Sequence, residues 1–266
     1  MKTGKMKLWS LTLLALLGIT ISWGQGVADK KTQAGLTGTF GLNILRMGTN
    51  KMNSDGVGSN LGIGIMAHSS FKNSKNLGLA YGVEFEFGSF KFQPAQQSFY
   101  NYDDKSILTS DQSNGNSSLF ELQSRTQKPV YVTIPLMFLF RTDFIGDFRY
   151  FGKFGVRNNF LVSNKMNDSG IDKQTNQAVD FSNMKASGET FFYNGSVGLT
   201  AGAEWNFVGS TVLVAEAGYF YGITPVFLDR KTDNKSLFYL DNGLSKTYFS
   251  NNANLSQILL KVSILF

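Results

Sequence analysis

His68 is the only histidine in the chain, and Ser69 and Ser70 follow it. A base beside hydroxyls is the arrangement of an activated nucleophile. Adjacent residues on a strand point to opposite faces, however, so a strand here separates His68 from Ser69 and the group reads as structural. One histidine with scattered carboxylates is not a metal signature. The chain has no cysteine, which excludes thiolate metal sites and disulfides. Gly62-Ile63-Gly64-Ile65-Met66-Ala67 fits G-x-G-x-x-A, but no helical pattern follows it. Its glycines read as packing room rather than a nucleotide loop, and no cofactor is expected. One further set could do chemistry: Glu84, Glu86, Glu204 and Glu216, with Arg141, Arg149, Lys153, Arg157 and Lys261. Each falls on the polar side of a stretch of alternating hydrophobicity.

Those stretches are the elements that must position the charges. Eight recur, at about 33–45, 60–69, 76–90, 130–141, 148–162, 191–207, 211–224 and 257–266. The sixth is the clearest. Tyr193, Val197, Leu199, Ala201, Ala203, Trp205 and Phe207 alternate with Asn194, Ser196, Gly198, Thr200, Gly202, Glu204 and Asn206. The last sets Ile258, Leu260, Val262, Ile264 and Phe266 against Gln257, Lys261 and Ser263, with Leu259 and Leu265 as apolar exceptions. Pro135 sits inside the fourth stretch although proline cannot donate to a ladder; a bulge is expected there.

A water-soluble barrel or sandwich also alternates, with its apolar face inward. The distribution of charge decides between the two. The polar faces carry Gly, Ser and Thr and few charges, four acidic against five basic. That suits a narrow lumen with paired charges better than a solvated surface. The apolar faces are long and carry aromatics at both ends. Phe148, Tyr150, Trp205, Phe207 and Phe266 gather at one end, and Phe160, Phe191, Tyr193, Tyr219 and Tyr221 at the other, as membrane girdles do. Charged residues make up 17% of the chain, below the roughly 25% of an average soluble protein.

Residues 1–24 read as a secretory signal peptide. Lys2, Lys5 and Lys7 precede an apolar run from Leu8 to Ile21, and Ser22-Trp23-Gly24 places small residues where a signal peptidase cleaves. Loss of these three lysines takes the formal charge from +6 to +3, which argues against a nucleic-acid partner. No later segment has the ~18 continuous apolar residues of a membrane helix. An exported membrane protein of this composition must then be a closed barrel, since only helices and barrels satisfy the backbone in lipid.

The connections alternate in length. Long ones are expected at 46–59, 93–129, 163–190 and 225–253, and short ones at 70–75, 142–147 and 208–210. A barrel with a periplasmic N-terminus then carries every long loop outside. The expectation is therefore an all-β fold: an up-and-down, eight-stranded antiparallel transmembrane β-barrel over residues 25–266, in the bacterial outer membrane. An eight-stranded barrel is just wide enough to be filled by side chains, and charges buried in it must pair. Arg149, Lys153 and Arg157 are expected to pair with Glu204 and neighbouring glutamates as a polar plug.

Val130 to Lys165, "VYVTIPLMFLFRTDFIGDFRYFGKFGVRNNFLVSNK", resembles the central hairpin of the PorT-like outer-membrane barrels of Bacteroidota. The matching residues are Tyr131, Ile134, Pro135 and Leu136, then Tyr150 and Gly155. The later "VGLTAGAEWNF…VLVAEAGYFYGITPVF" is similar to that family's sixth and seventh strands. A last strand ending in Phe266 resembles the signal read by the barrel assembly machinery. The resemblance implies a non-enzymatic protein surrounded by outer-membrane lipid, with secretion-system or surface proteins as partners. A small channel or porin is the alternative, and a barrel enzyme acting on lipid or peptide a further one.

Overall fold

The computed structural model describes residues 30–95, 97–101, 119–185, 190–227, 239–241, 246–248 and 252–266. The expected signal peptide lies outside them. Eight long strands carry the fold: β1 (Thr32–Met47), β2 (Val57–Ser70), β3 (Leu77–Gly88), β4 (Leu119–Arg141), β5 (Phe148–Asp172), β6 (Tyr193–Val208), β7 (Thr211–Gly222) and β8 (Ala253–Leu265). Each pairs antiparallel with its neighbours in sequence, and β8 returns to β1 from Gly35↔Leu265 to Met47↔Ala253. The sheet is thus a closed up-and-down ring, which leaves no open edge along the wall.

Alternation fixes which face each residue takes. Leu199, Ile63, Val262 and Phe40 point out and are exposed, while Thr39, Glu84, Arg157 and Ser263 point in and are buried. Outward apolar residues line up across strands, as in the row Leu61, Phe40, Leu260, where cross-strand apolar pairs stabilise a sheet. Phe148 stacks on Trp205 at 5.9 Å at one rim, and Phe160 meets Tyr193 at 5.5 Å at the other. The connections at the first rim are short. Gly146 and Gly209 turn there with φ of 64° and 62°, a left-handed conformation that glycine adopts without strain.

Two of the expected long loops need correction. Residues 119–129 and 163–172 are strand, so β4 and β5 run on as a paired hairpin well beyond the outward apolar band. Where the band ends, the outward face changes from Val130 and Val162 to the exposed Lys128 and Lys165, which are register partners. Three short strands add to this outer sheet. Phe90–Pro94 and Ser98–Asn101 pair with β4, and Gln177–Lys185 pairs with β5. Met52–Ser54 pairs in turn with Phe90–Pro94, inside the expected loop 46–59. Tyr239–Asp241 and Lys246–Tyr248, within the expected loop 225–253, form a separate two-stranded sheet.

Pro135 sits within a strand, but not at a bulge. The β3–β4 register runs from Leu77↔Phe140 to Phe87↔Val130 without slipping, and only the rungs Gly82–Pro135 and Val83–Ile134 are missing. Proline has no N–H to donate, so the Gly82 carbonyl faces a position with no ladder donor.

The outward band tests the architecture directly. Leu199 is 64% exposed near the middle of β6, and Val208 is 67% exposed at its end. In lipid vesicles, Leu199→Arg should destabilise by ~2–4 kcal/mol and Val208→Arg by ~0–1 kcal/mol. Urea titration of the vesicle-inserted protein measures both; a water-facing wall would leave the two variants alike.

Candidate functional site

The expected charges converge inside the ring. Glu84, Glu86, Arg141, Arg149, Lys153, Arg157, Glu204, Glu216 and Lys261 all point into the lumen, and none is more than 7% exposed. Glu204 on β6 is the lower hub, at the rim with the short turns. Arg149, its register partner on β5, donates from Nε to Oε2 at 2.8 Å and also through Nη2. Arg141 Nε lies 3.2 Å from the other oxygen, and His68 Nδ1 lies 3.1 Å from it. Two guanidinium groups and an imidazole from three other strands therefore meet on one carboxylate.

The middle layer holds the remaining ion pairs. Lys153 Nζ sits 2.6 Å from Glu216 Oε2, which also accepts from Thr200 Oγ1 at 3.1 Å. Of the three cations expected to pair with Glu204 and neighbouring glutamates, Arg149 reaches Glu204 and Lys153 pairs with Glu216. Lys261 is the register partner of Glu216, yet it crosses the lumen to Glu84 on β3. Thr39 donates to the same carboxylate at 3.1 Å. Arg157 pairs with Glu86, whose second oxygen accepts from Asn60 Nδ2 at 3.0 Å. Above it lies an uncharged layer, in which Gln257 donates to Asn43 at 3.0 Å and Thr133 to Asn159 at 2.9 Å.

The glycines of the G-x-G-x-x-A stretch make this network possible. A Cβ on Gly62 would come within 3.2 Å of Glu86 Cγ and Thr39 Cβ, and one on Gly64 within 2.7 Å of Glu84 Cα. They leave room for two glutamate chains, as the packing reading requires. His68 is turned to Glu204, while Ser69 lies on the opposite face, its hydroxyl 2.9 Å from that of Thr32. Histidine and serine are therefore not brought together. Among the described residues, no group of three His, Cys, Asp or Glu side chains could hold a metal ion.

Apolar layers close the lumen above and below. The floor is Met66, Leu139, Phe151, Val212, Val214 and Leu265. The roof belongs to the outer sheet and the last outer connection. Phe90 and Phe92 meet Phe227 edge-on at 6.0 and 5.4 Å, over Leu45, Phe120, Leu122 and Leu255. Just beneath, Arg125 and Asp168 form a fully buried two-point ion pair at 2.8 and 2.7 Å. This roof was not expected: Phe120, Leu122 and Phe227 lie in segments taken for loops, and the one available signal was the run Phe90, Phe92 at the end of the third stretch.

A closed ring with an apolar exterior, a polar paired interior, short turns at one end and extended connections at the other is the architecture of an outer-membrane β-barrel. Residues 25–228 match the family described as "Outer membrane protein beta-barrel domain", and the chain belongs to that family; its place is the bacterial outer membrane. No curated protein matches the chain. Among solved structures it is similar to Neisserial surface protein A, at 10% identity and TM-score 0.37, over 89% of this chain and 96% of that one. It is also similar to Ail of Yersinia pestis, solved with the heparin analogue sucrose octasulfate, at 12% and 0.30, over 89% and 100%. A third is the outer membrane protease OmpT of Escherichia coli, at 9% and 0.33, over 88% and 94%. At such identities and scores they carry no argument about what this chain binds or does.

Removing one partner of a buried ion pair leaves an uncompensated charge and costs about 3–5 kcal/mol, whereas an apolar replacement of both partners is often near neutral. Glu204→Gln should therefore destabilise the folded barrel by about that amount. Lys153→Met and Glu216→Met should each be costly and the double variant nearly neutral, measured as a double-mutant cycle of urea unfolding in lipid vesicles.

Proposed function

We propose that this barrel is a non-enzymatic interaction protein, with a secretion-accessory role of the PorT-like kind, acting through its outward-facing surface. The resemblance of Val130 to Lys165 to the PorT-like hairpin supports the secretion role. One observation carries the reading. The lumen is filled by paired charges and closed by apolar layers, while the described residues beyond the membrane gather mainly on the outer sheet of β4, β5 and their added strands. A solute path through the ring would have to break ion pairs at every level, which disfavours the small-channel alternative. His68 is engaged with Glu204 and parted from Ser69, which disfavours hydrolytic chemistry at that pair.

In this reading a signal peptide cleaved near Gly24 exports the chain. The assembly machinery reads the last strand ending at Phe266, and outer-membrane lipid surrounds the apolar band. Secretion-system or surface proteins dock on the outer side. Neither a cofactor nor a nucleic acid takes part.

Asn101 and Leu119 are register partners, so residues 102–118 can be replaced by a two-residue Asn-Gly turn without moving either strand. Wild-type protein, cross-linked mildly in intact cells and solubilised, should bring envelope or secretion components with it in mass spectrometry. The shortened variant should lose them while remaining folded in the membrane. A wild-type barrel that is recovered alone contradicts the reading.

A further inference from the structure

The outward face changes character abruptly where the apolar band ends on β4 and β5. On the membrane side lie Val130 and Val162, with the aromatic pair Phe160 and Tyr193 next to them. On the far side lie lysines. Lys128 on β4 is the register partner of Lys165 on β5, and Lys165 is in turn the register partner of Lys185 on the added strand Gln177–Lys185. Three lysines therefore share one rung across three strands. Lys91, on the added strand Phe90–Pro94, pairs with Thr126, the next outward position on β4, and so lies diagonal to Lys128. Lys91, Lys128 and Lys165 are exposed, and among the described residues none of them has an ion-pair partner. The nearby acids are engaged or stand further out. Asp168 turns inward to Arg125, Asp55 accepts from Ser124 at 2.8 Å, and Glu121 meets Lys173 at 3.1 Å. Asp180 is opposite Ser169, two outward positions beyond Lys165.

We propose that this row is a headgroup site for an outer-leaflet lipid whose head carries a phosphate monoester. The phosphate lies over the Lys128–Lys165 rung, and the acyl chains run down the outward face past Val130, Val162 and Phe160. Like charges directly opposite one another destabilise a sheet, so a rung of lysines is intelligible when an anion lies across it. A phosphate monoester carries a charge of about −1.5 to −2 and three acceptor oxygens, which calls for more than one cation. Lysine suits the depth as well as the charge. Its stem covers apolar surface while the ammonium stays at the polar boundary. The aromatic girdle marks that boundary, and basic clusters just beyond it attract anionic lipid. The basic row hugs the lipid band, whereas Glu121 and Asp180 lie further out. That ordering favours a lipid over a protein arriving from water. The inference goes beyond the docking reading, and either can fail without the other.

The test uses the purified full barrel in a neutral maltoside detergent, with dioleoyl phosphatidic acid as probe and native mass spectrometry to count bound lipid. Wild-type protein should retain the probe about tenfold more tightly than dioleoylglycerol, which has the same chains and no phosphate. Inorganic phosphate should not displace it. The double variant Lys128→Ser/Lys165→Ser should weaken retention about tenfold. Lys72→Ser, at an exposed lysine on the short-turn rim, should leave it unchanged. Heat-modifiable migration on gels shows whether each variant is folded. If the double variant is not, Lys91→Ser decides, with an expected loss of about threefold. Equal retention of dioleoylglycerol, displacement by inorganic phosphate, wild-type retention in the folded lysine variant that decides, or an equal loss in Lys72→Ser would overturn the proposal.

Discussion

The rest of the structure depends on charge pairing across a lumen too narrow for water to do the same job. Four glutamates and five basic side chains are buried in a ring of eight strands. An unpaired charge in such a place costs about 3–5 kcal/mol, a large share of a domain's usual margin of stability. The pairs join distant walls: Lys261 of β8 to Glu84 of β3, His68 of β2 to Glu204 of β6, and Arg157 of β5 to Glu86 of β3. They brace the ring from inside, while the outward apolar band fits it to the membrane.

The pairing explains features that otherwise look unrelated. Glycines opposite Glu84 and Glu86 are small because the glutamate chains lie over them. Apolar floor and roof keep water from the ion pairs, which strengthens them. The roof in turn explains why β4 and β5 continue past the membrane. Their outer halves present Phe120 and Leu122 and hold the Arg125–Asp168 pair beneath, and no shorter hairpin could cover the mouth. One irregularity in this wall is built into the chain at Pro135, where the ladder loses a donor while the register holds.

Much of this was legible in the sequence. Within the membrane each outward residue must be apolar and each inward one small or paired, so Tyr193 to Phe207 alternates strictly and places Glu204 inward. The outer halves of β4 and β5 were not legible. Past the lipid boundary the outward face turns polar, as at Lys128 and Lys165, while inward positions still carry Arg125, Gln127 and Asp168. With both faces polar, the period of two disappears and the segment looks like a loop. The phase of Lys153 and Lys261 could be read, but their partners could not. Lys261 passes over its register neighbour Glu216 to reach Glu84, a choice made by the curvature of a closed ring. Pro135 was visible as an anomaly, and only the register places it opposite Gly82.

The central claim is that the lumen is shut by its own charges and by its apolar ends. Single-channel recording of the purified protein in planar lipid bilayers tests it most directly. The account predicts no ohmic conductance in molar potassium chloride, with steps appearing only when Glu204 and Glu216 are both replaced by alanine. Steady, uniform conductance from the wild-type protein would contradict it and make the barrel a channel.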